Sequence, residues 1–252
     1  MGQIIAVLNQ KGGVGKTTTA MNVGAYLAKM GREVLIVDLD PQGNATSGFG
    51  TDKTALESTM YDVLFGRANA SNTIKETNIS GLFILPTNAQ LAAAEVDLAN
   101  EPEREHKLKH ALASCSYDYI LIDCPPSLGL LSINALTAAN SVLIPVQAEY
   151  YALEGLGQLL EIIQRVRSGL NPQLELMGVV LTMYDSRTSL SDQVMSEVQK
   201  HFGQKVFNSV IPRNIRLAEA PSYGKTIAEH DKWSKGGRAY KQLAKEIDKH
   251  VK

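Results

Sequence analysis

Cysteine is scarce in this 252-residue sequence. The only two, Cys115 and Cys124, stand in no CxxC motif and no Cys/His cluster. That argues against a disulfide framework or a zinc module and fits a reducing compartment. No run of 18 apolar residues occurs, so no membrane-spanning helix is expected. The first apolar run, IIAVL at positions 4–8, is too short for a signal-peptide core and follows no basic residue. Ala6 stands where an N-myristoylation pattern needs Ser or Thr. There is no linker, internal repeat or low-complexity tract, so the expectation is one cytoplasmic domain spanning 1–252.

Net charge is nearly absent too, with 25 Lys/Arg against 26 Asp/Glu, but it is unevenly spread. Residues 187–252 hold 13 basic and 7 acidic side chains, whereas the preceding 186 hold 12 and 19. The basic C-terminal third fits an anionic partner or a solvated basic helix at the chain end, and charge alone does not choose between them.

What is present is a regular alternation. Short apolar runs, QIIAVLN, EVLIVDLD, GLFILP, YDYILIDCPP, NSVLIPVQ and LELMGVVLTMY, read as strands, with a shorter one near KVFNSVIP. Helical periodicity lies between them: TTTAMNVGAYLAKMG stopped by Gly31, AQLAAAEVDLAN, REHKLKHALAS, SINALTAAN, ALEGLGQLLEIIQRVRSG and SLSDQVMSEVQKHFG. Strands apolar on both faces and alternating with helices predict an α/β fold, a mostly parallel twisted sheet with helices on both faces. Ligands of such sheets bind beyond the carboxyl ends of the strands, where LNQKGG, VDLDPQ, LIDCPPS and LTMYDSR collect.

The stretch NQKGGVGKTTTA nearly matches the phosphate-loop pattern G-x-x-x-x-G-K-[ST]. Gly15, Lys16 and Thr17 fit, but Gln10 replaces the first glycine and an additional lysine, Lys11, follows it. Gly12, Gly13 and Gly15 let successive backbone N–H groups face an anion, and the helix starting near Lys16 adds its positive end. Lys16 would reach the β- and γ-phosphates and Thr17 would ligate Mg²⁺. Two acidic strand ends support a nucleotide site. Asp123 follows YILI at the Walker-B position and would hold Mg²⁺ directly or through water. Asp38 and Asp40, spaced by two, lie on one side of the second strand's end. One could serve the metal's water shell while the other orients the attacking water.

With these residues in place, KGGVGKTT, VDLDPQGN and YDYILIDCPPSLGLLSINAL resemble the signature segments of the ParA/Soj partition ATPases. These belong to the deviant Walker-A branch of P-loop NTPases, together with MinD, nitrogenase iron protein and the arsenite-pump ATPase. The likeness continues through IPVQAEYYALEGL and VIPRNIRLAEAPSYGK and is least distinctive between 51 and 78. It implies ATP and Mg²⁺ as cofactors and an ATP-dependent homodimer in which Lys11 reaches the partner subunit's phosphates. It implies nucleotide contacts from Lys11, Gly12, Gly13, Val14, Gly15, Lys16, Thr17 and Thr18. By the same carry-over Asp40 positions or activates the hydrolytic water. Asp38 and Asp123 join Thr17 around the metal, and Pro212 and Asn214 lie against the adenine, with Met183 a weaker candidate. Arg187 and Arg216 match positions that bind DNA non-specifically in the family. A ParB-type protein stimulates hydrolysis there, a replication initiator is a further partner, and the nucleoid is the place of action. The alternative reading is a MinD-like membrane switch that positions the division site.

Other features carry less. His106 and His110 sit at i, i+4 spacing with nothing to complete a metal site. Ser127 follows CPP without a nucleophile elbow. AYKQLAKEIDKHVK places Tyr240, Leu243, Ile247 and Val251 on one helical face, for which packing onto the sheet is expected.

Overall fold

A computed structural model describes residues 2–149 and 155–251. Seven strands form one sheet: β1 (Gln3–Val7), β2 (Val34–Asp38), β3 (Lys75–Glu76), β4 (Leu82–Leu85), β5 (Tyr119–Asp123), β6 (Ser141–Gln147) and β7 (Glu175–Thr182). Their spatial order is β3-β4-β2-β5-β1-β6-β7. All pairings are parallel except β3 with β4. The doubly wound α/β architecture is the expected one. The two-residue antiparallel edge strand β3 was not anticipated, because two exposed charged residues leave no apolar pattern.

Side chains of successive strand residues enter opposite cores. Ile4, Ala6 and Leu8 join one apolar cluster with Leu35, Val37, Ile120 and Ile122. Ile5 and Val7 join the other with Val34, Ile36 and Leu121. Both faces are therefore dry, which is why these strands read as continuous apolar runs. Each fully buried Val, Leu or Ile among them contributes about 1.5–3 kcal/mol on burial.

The helix α1 (Lys16–Lys29) leaves β1 through the glycine loop and stops at Met30, with Gly31 at φ 86° just beyond. It packs beside the C-terminal helix Lys235–Val251, where the Thr19 and Tyr240 hydroxyls are 3.1 Å apart. Tyr240, Leu243, Ala244 and Ile247 of that helix are buried, which satisfies the expected packing onto the body of the fold. Asp248, one residue further, accepts two hydrogen bonds from the Arg32 guanidinium at 2.9 and 3.1 Å and one from the Tyr119 hydroxyl at 3.0 Å.

Two expectations change. The segment near KVFNSVIP makes only isolated bridges, Val179 with Val206 and Tyr184 with Pro212, and is not a strand. Its middle is drawn to the C-terminal helix instead: Glu246 accepts from Asn208 N at 3.0 Å and from the Ser209 hydroxyl at 2.6 Å. AQLAAAEVDLAN is not one α-helix but two 3₁₀ turns flanking Ala94–Asp97. The remaining helices fall close to expectation, at Lys107–Leu112, Leu130–Ala138, Leu156–Gly169 and Ser189–Phe202. Positions 150–154, which belong to the IPVQAEYYALEGL segment and to the start of the ALEGLGQ helix reading, lie outside the described residues.

Candidate nucleotide site

Parallel register brings three strand ends together. Val7 is paired with Asp123, and Asp123 with Asp38, so the phosphate loop and two carboxylates meet at one edge. The loop is held from behind. Asn9 donates to Pro145 O at 2.7 Å and accepts from Lys11 N at 3.0 Å. Thr182, ending β7, donates its hydroxyl to Val14 O at 2.8 Å. Gly13 and Gly15 take φ values of 75° and 90°, a backbone that side chains with a Cβ rarely adopt. Gly15 is the N-cap of α1 and offers no capping side chain, and no acidic residue occupies the first turn. The first N–H groups of α1 are thereby left for an external anion.

Lys16 is buried beside this loop, with its ammonium donating to Lys11 O at 3.0 Å. Burial pushes its pKa down, and the charge of Asp123 pulls it back up. Asp123 is fully buried, and among the described residues neither oxygen is held in a well-formed hydrogen bond. Its pKa lies well above the ordinary carboxylate value, first through burial and then through the Asp38 charge, while the Thr17 hydroxyl pulls the other way. A buried, unpartnered carboxylate next to a threonine hydroxyl is a donor set of hard oxygens, which suits Mg²⁺. The residues present therefore fit the metal.

Asp38 is also fully buried, but its Oδ2 is already engaged, accepting from Thr46 N at 2.7 Å and from the Thr46 hydroxyl at 2.6 Å. Burial raises its pKa to about 6, against the lowering effect of those two donors. Asp40 accepts from Gln42 N through Oδ1 at 2.9 Å, and its Oδ2 takes no hydrogen bond from the described residues. Lys11 does not share the buried cradle with Lys16. Its ammonium rests 3.6 Å from Glu149, whose other oxygen is 3.7 Å from Arg213.

A cavity of about 310 Å³ opens next to the loop, lined by Gly15, Thr18, Met183, Pro212, Asn214 and Leu217 among others. It gathers the three expected base-site residues. Met183 holds φ at 52°, an uncommon conformation for a residue with a side chain. Asn214 caps the short helix after it by accepting from Arg216 N at 2.9 Å.

Arg187 and Arg216 lie elsewhere on the surface, each paired locally. Arg187 holds Asp185 in a two-point contact at 2.9 and 2.7 Å. Arg216 lies 2.9 Å from Glu219 and 3.9 Å from Asp231. The arginine side chains remain 85 % and 53 % exposed, so these pairs are weak and open to exchange for other anions.

Three residues of the site were missed in the sequence. Thr46 and Thr182 carry no motif signal. Glu149 stands at the carboxyl end of β6, the same edge as the other polar groups, and that position was a usable signal. Gln10, the residue that breaks the glycine pattern, is packed against Gly155. A Cβ at Gly155 would fall 1.7 Å from the Gln10 amide nitrogen, and Gly155 itself has φ 82°.

Fold and site together define a P-loop ATPase of the deviant Walker-A kind. A family profile described as an AAA domain matches residues 2–176. The chain is 56 % identical over 249 residues to the sporulation initiation inhibitor protein Soj of Bacillus subtilis, covering 98 % of each chain. It is 51 % identical over 249 residues to the chromosome-partitioning ATPase Soj of Treponema pallidum, covering 98 % and 97 %. Among solved structures, cobyrinic acid a,c-diamide synthase from Mycobacterium smegmatis with bound ADP and magnesium superposes with a TM-score of 0.88 at 41 % identity, covering 99 % and 95 %. The chain belongs to the ParA/Soj family of chromosome-partitioning ATPases, and it is an ATPase that works with ATP and Mg²⁺.

Proposed function

We propose that residues 1–252 act as one ATPase domain and as a switch: ATP binding assembles a homodimer, the dimer binds duplex DNA without sequence preference, and slow hydrolysis releases it. The observation that carries this reading is the division of labour between two lysines on one loop. Lys16 lies buried at the cradle beside Asp123, while Lys11 is drawn outward to Glu149. A cation so placed is available to a second copy's phosphates, where it would act as an arginine finger does.

Lys16, the glycine loop from Gly12 to Gly15, and Thr18 bind the phosphates. Thr17 and Asp123 would hold Mg²⁺, which supplies charge neutralisation on the phosphate oxygens. Asp38 supports that metal through its charge and its Oδ1, which accepts only a long hydrogen bond from Asp40 N at 3.4 Å, since Thr46 occupies Oδ2. Asp40, with one oxygen free of hydrogen bonds among the described residues, orients the hydrolytic water. Pro212 and Asn214, with Met183, form the base site.

Arg187 and Arg216 exchange their local carboxylates for DNA phosphates, and twofold symmetry doubles their number on one face. A ParB-type protein stimulates hydrolysis, and the output is segregation of chromosome origins on the nucleoid, with a replication initiator as a further regulated partner. The MinD-like alternative would need a free apolar face on the C-terminal helix, and Tyr240, Leu243, Ala244 and Ile247 of that helix are buried.

Size-exclusion chromatography with light scattering, with and without ATP and random duplex, tests the reading. Asp40→Ala should accumulate an ATP-bound dimer on DNA. Arg187→Glu with Arg216→Glu should dimerise yet lose DNA at low salt. A chain that stays monomeric with ATP, or hydrolyses ATP only with a carboxylate substrate and an ammonia source, would overturn it.

A further inference from the structure

The exposed large apolar side chains are not evenly scattered. Tyr223 is 66 % exposed and Trp233 75 %, and both follow Arg216 within seventeen residues, whereas Ile215, 72 % exposed, lines the cavity beside the phosphate loop. Trp233 is the only tryptophan of the sequence. Asp231 knits this surface together: it accepts from Trp233 N at 3.2 Å and from Ser234 N at 3.0 Å, and its other oxygen lies 3.9 Å from Arg216. The Tyr223 ring stacks on His230 at 5.2 Å, and His230 in turn lies 3.7 Å from the same Glu219 that pairs with Arg216.

Charge around the patch favours an anion. The three acidic residues between 213 and 241 are all engaged. Glu219 faces Arg216, Glu229 closes a capping box on Thr226 at 3.0 and 3.1 Å, and Asp231 holds the Trp233 turn. Lys225, Lys235 and Arg238 are exposed and form no ion pair among the described residues. The Lys232 ammonium lies 5.2 Å above the Trp233 ring, a cation–π arrangement that keeps a positive charge at the ring surface.

Resting on the DNA reading of Arg216, we propose that Trp233 and Tyr223 form the uncharged part of that DNA contact, laid against the sugars and groove wall of a duplex. One face of each ring is covered, Trp233 by Lys232 and Tyr223 by His230, and the ammonium on Trp233 would set a phosphate beside that ring. Phosphate contacts lose strength steeply with salt, whereas an apolar contact does not. The strip thus adds a component of affinity that persists when ionic strength rises.

The test uses the full chain loaded with a non-hydrolysable ATP analogue and a labelled random duplex, titrated by anisotropy over a salt series. Trp233→Ala should weaken binding about tenfold, the order expected for removing one large apolar side chain from a buried contact. It should leave the slope of log affinity against log salt unchanged. Lys232→Ala should instead lower that slope by about 0.9, one phosphate contact. Trp233→Phe should recover part of the loss. In the native chain, Trp233 emission should respond to duplex beyond any response to the ATP analogue alone.

Native affinity in Trp233→Ala overturns the inference. So does an emission change complete before duplex is added, which would assign Trp233 to a contact with a second copy. Stronger competition by a single-stranded homopolymer than by duplex would assign it to base stacking. If Arg187→Glu with Arg216→Glu retains duplex binding, the underlying DNA reading fails. If that variant loses DNA while Trp233→Ala does not, only the strip fails.

Discussion

The two ends of β5 are built on opposite terms. At its carboxyl end Asp123 is buried with neither oxygen in a well-formed hydrogen bond among the described residues, and its neighbour across the register is another buried carboxylate, Asp38. At its amino end the Tyr119 hydroxyl meets Asp248, which also receives a two-point contact from Arg32. One end is under-satisfied and costs stability; the other closes its hydrogen bonds and ties the C-terminal helix to the sheet. Five residues of one strand separate a site waiting for ligands from a structural anchor. The difference teaches where to look for function in such a sheet: at the end whose polar groups are not satisfied within the chain.

Variants at the two ends should break this contrast in opposite directions. Lys16→Ala should have the largest effect, lowering ATP affinity by about a hundredfold or more, which is roughly 2.7 kcal/mol. Calorimetry showing native affinity would remove Lys16 from the phosphate site. Asp248→Ala should lower stability by about 2–3 kcal/mol, because the buried Tyr119 hydroxyl loses its partner. For a chain of this size that is about 4–12 °C in melting temperature. ATP affinity should be unchanged, and a parallel loss of binding would show that the two ends are coupled.

Asp123→Asn should do the reverse, abolishing Mg²⁺-dependent ATP binding while raising the melting temperature of the ligand-free protein by roughly 2–4 °C at neutral pH. The sign follows from the raised pKa. The ionised carboxylate costs stability only above the unfolded value near 3.8, and the native chain regains that stability as pH falls from the raised native value. The gain in Asp123→Asn should therefore vanish near pH 4 and widen upward, and a gain independent of pH would refute the charge explanation.

The smallest effect is expected for Glu149→Gln. Freeing Lys11 from a surface pair, worth at most about 1 kcal/mol, should strengthen ATP-driven dimerisation by roughly two- to fivefold. Weaker dimerisation would mean that Glu149 itself serves the interface.

The parts of the molecule that were legible in the sequence are those fixed by neighbours in the chain. The alternating apolar strands and the run from Gly12 to Thr17 carry their own geometry, and Asp38 and Asp123 stand out because a carboxylate ends an otherwise apolar strand. What could not be read depends on partners far away. Thr46 captures Asp38 only because the loop after β2 folds back over the strand end. Glu246 diverts Asn208 and Ser209 from β7 across nearly forty residues, cancelling a strand that local composition favours. Glu149 pairs with Lys11 because β6 happens to lie next to β1. The local carboxylates of Arg187 and Arg216 belong to an intermediate case: Asp185 and Glu219 are close in sequence, yet only geometry shows that both arginines use them.

The close approach of Gln10 and Gly155 sets two demands of unequal weight on position 155. A side chain there would require the Gln10 amide, the free end of a flexible side chain, to turn aside, and it would also have to adopt the left-handed backbone that Gly155 holds at φ 82°. The first demand is met by a rotation, whereas the second is met only by glycine or, at some cost, asparagine. Among relatives of this chain position 155 should therefore stay within that pair whatever stands at position 10.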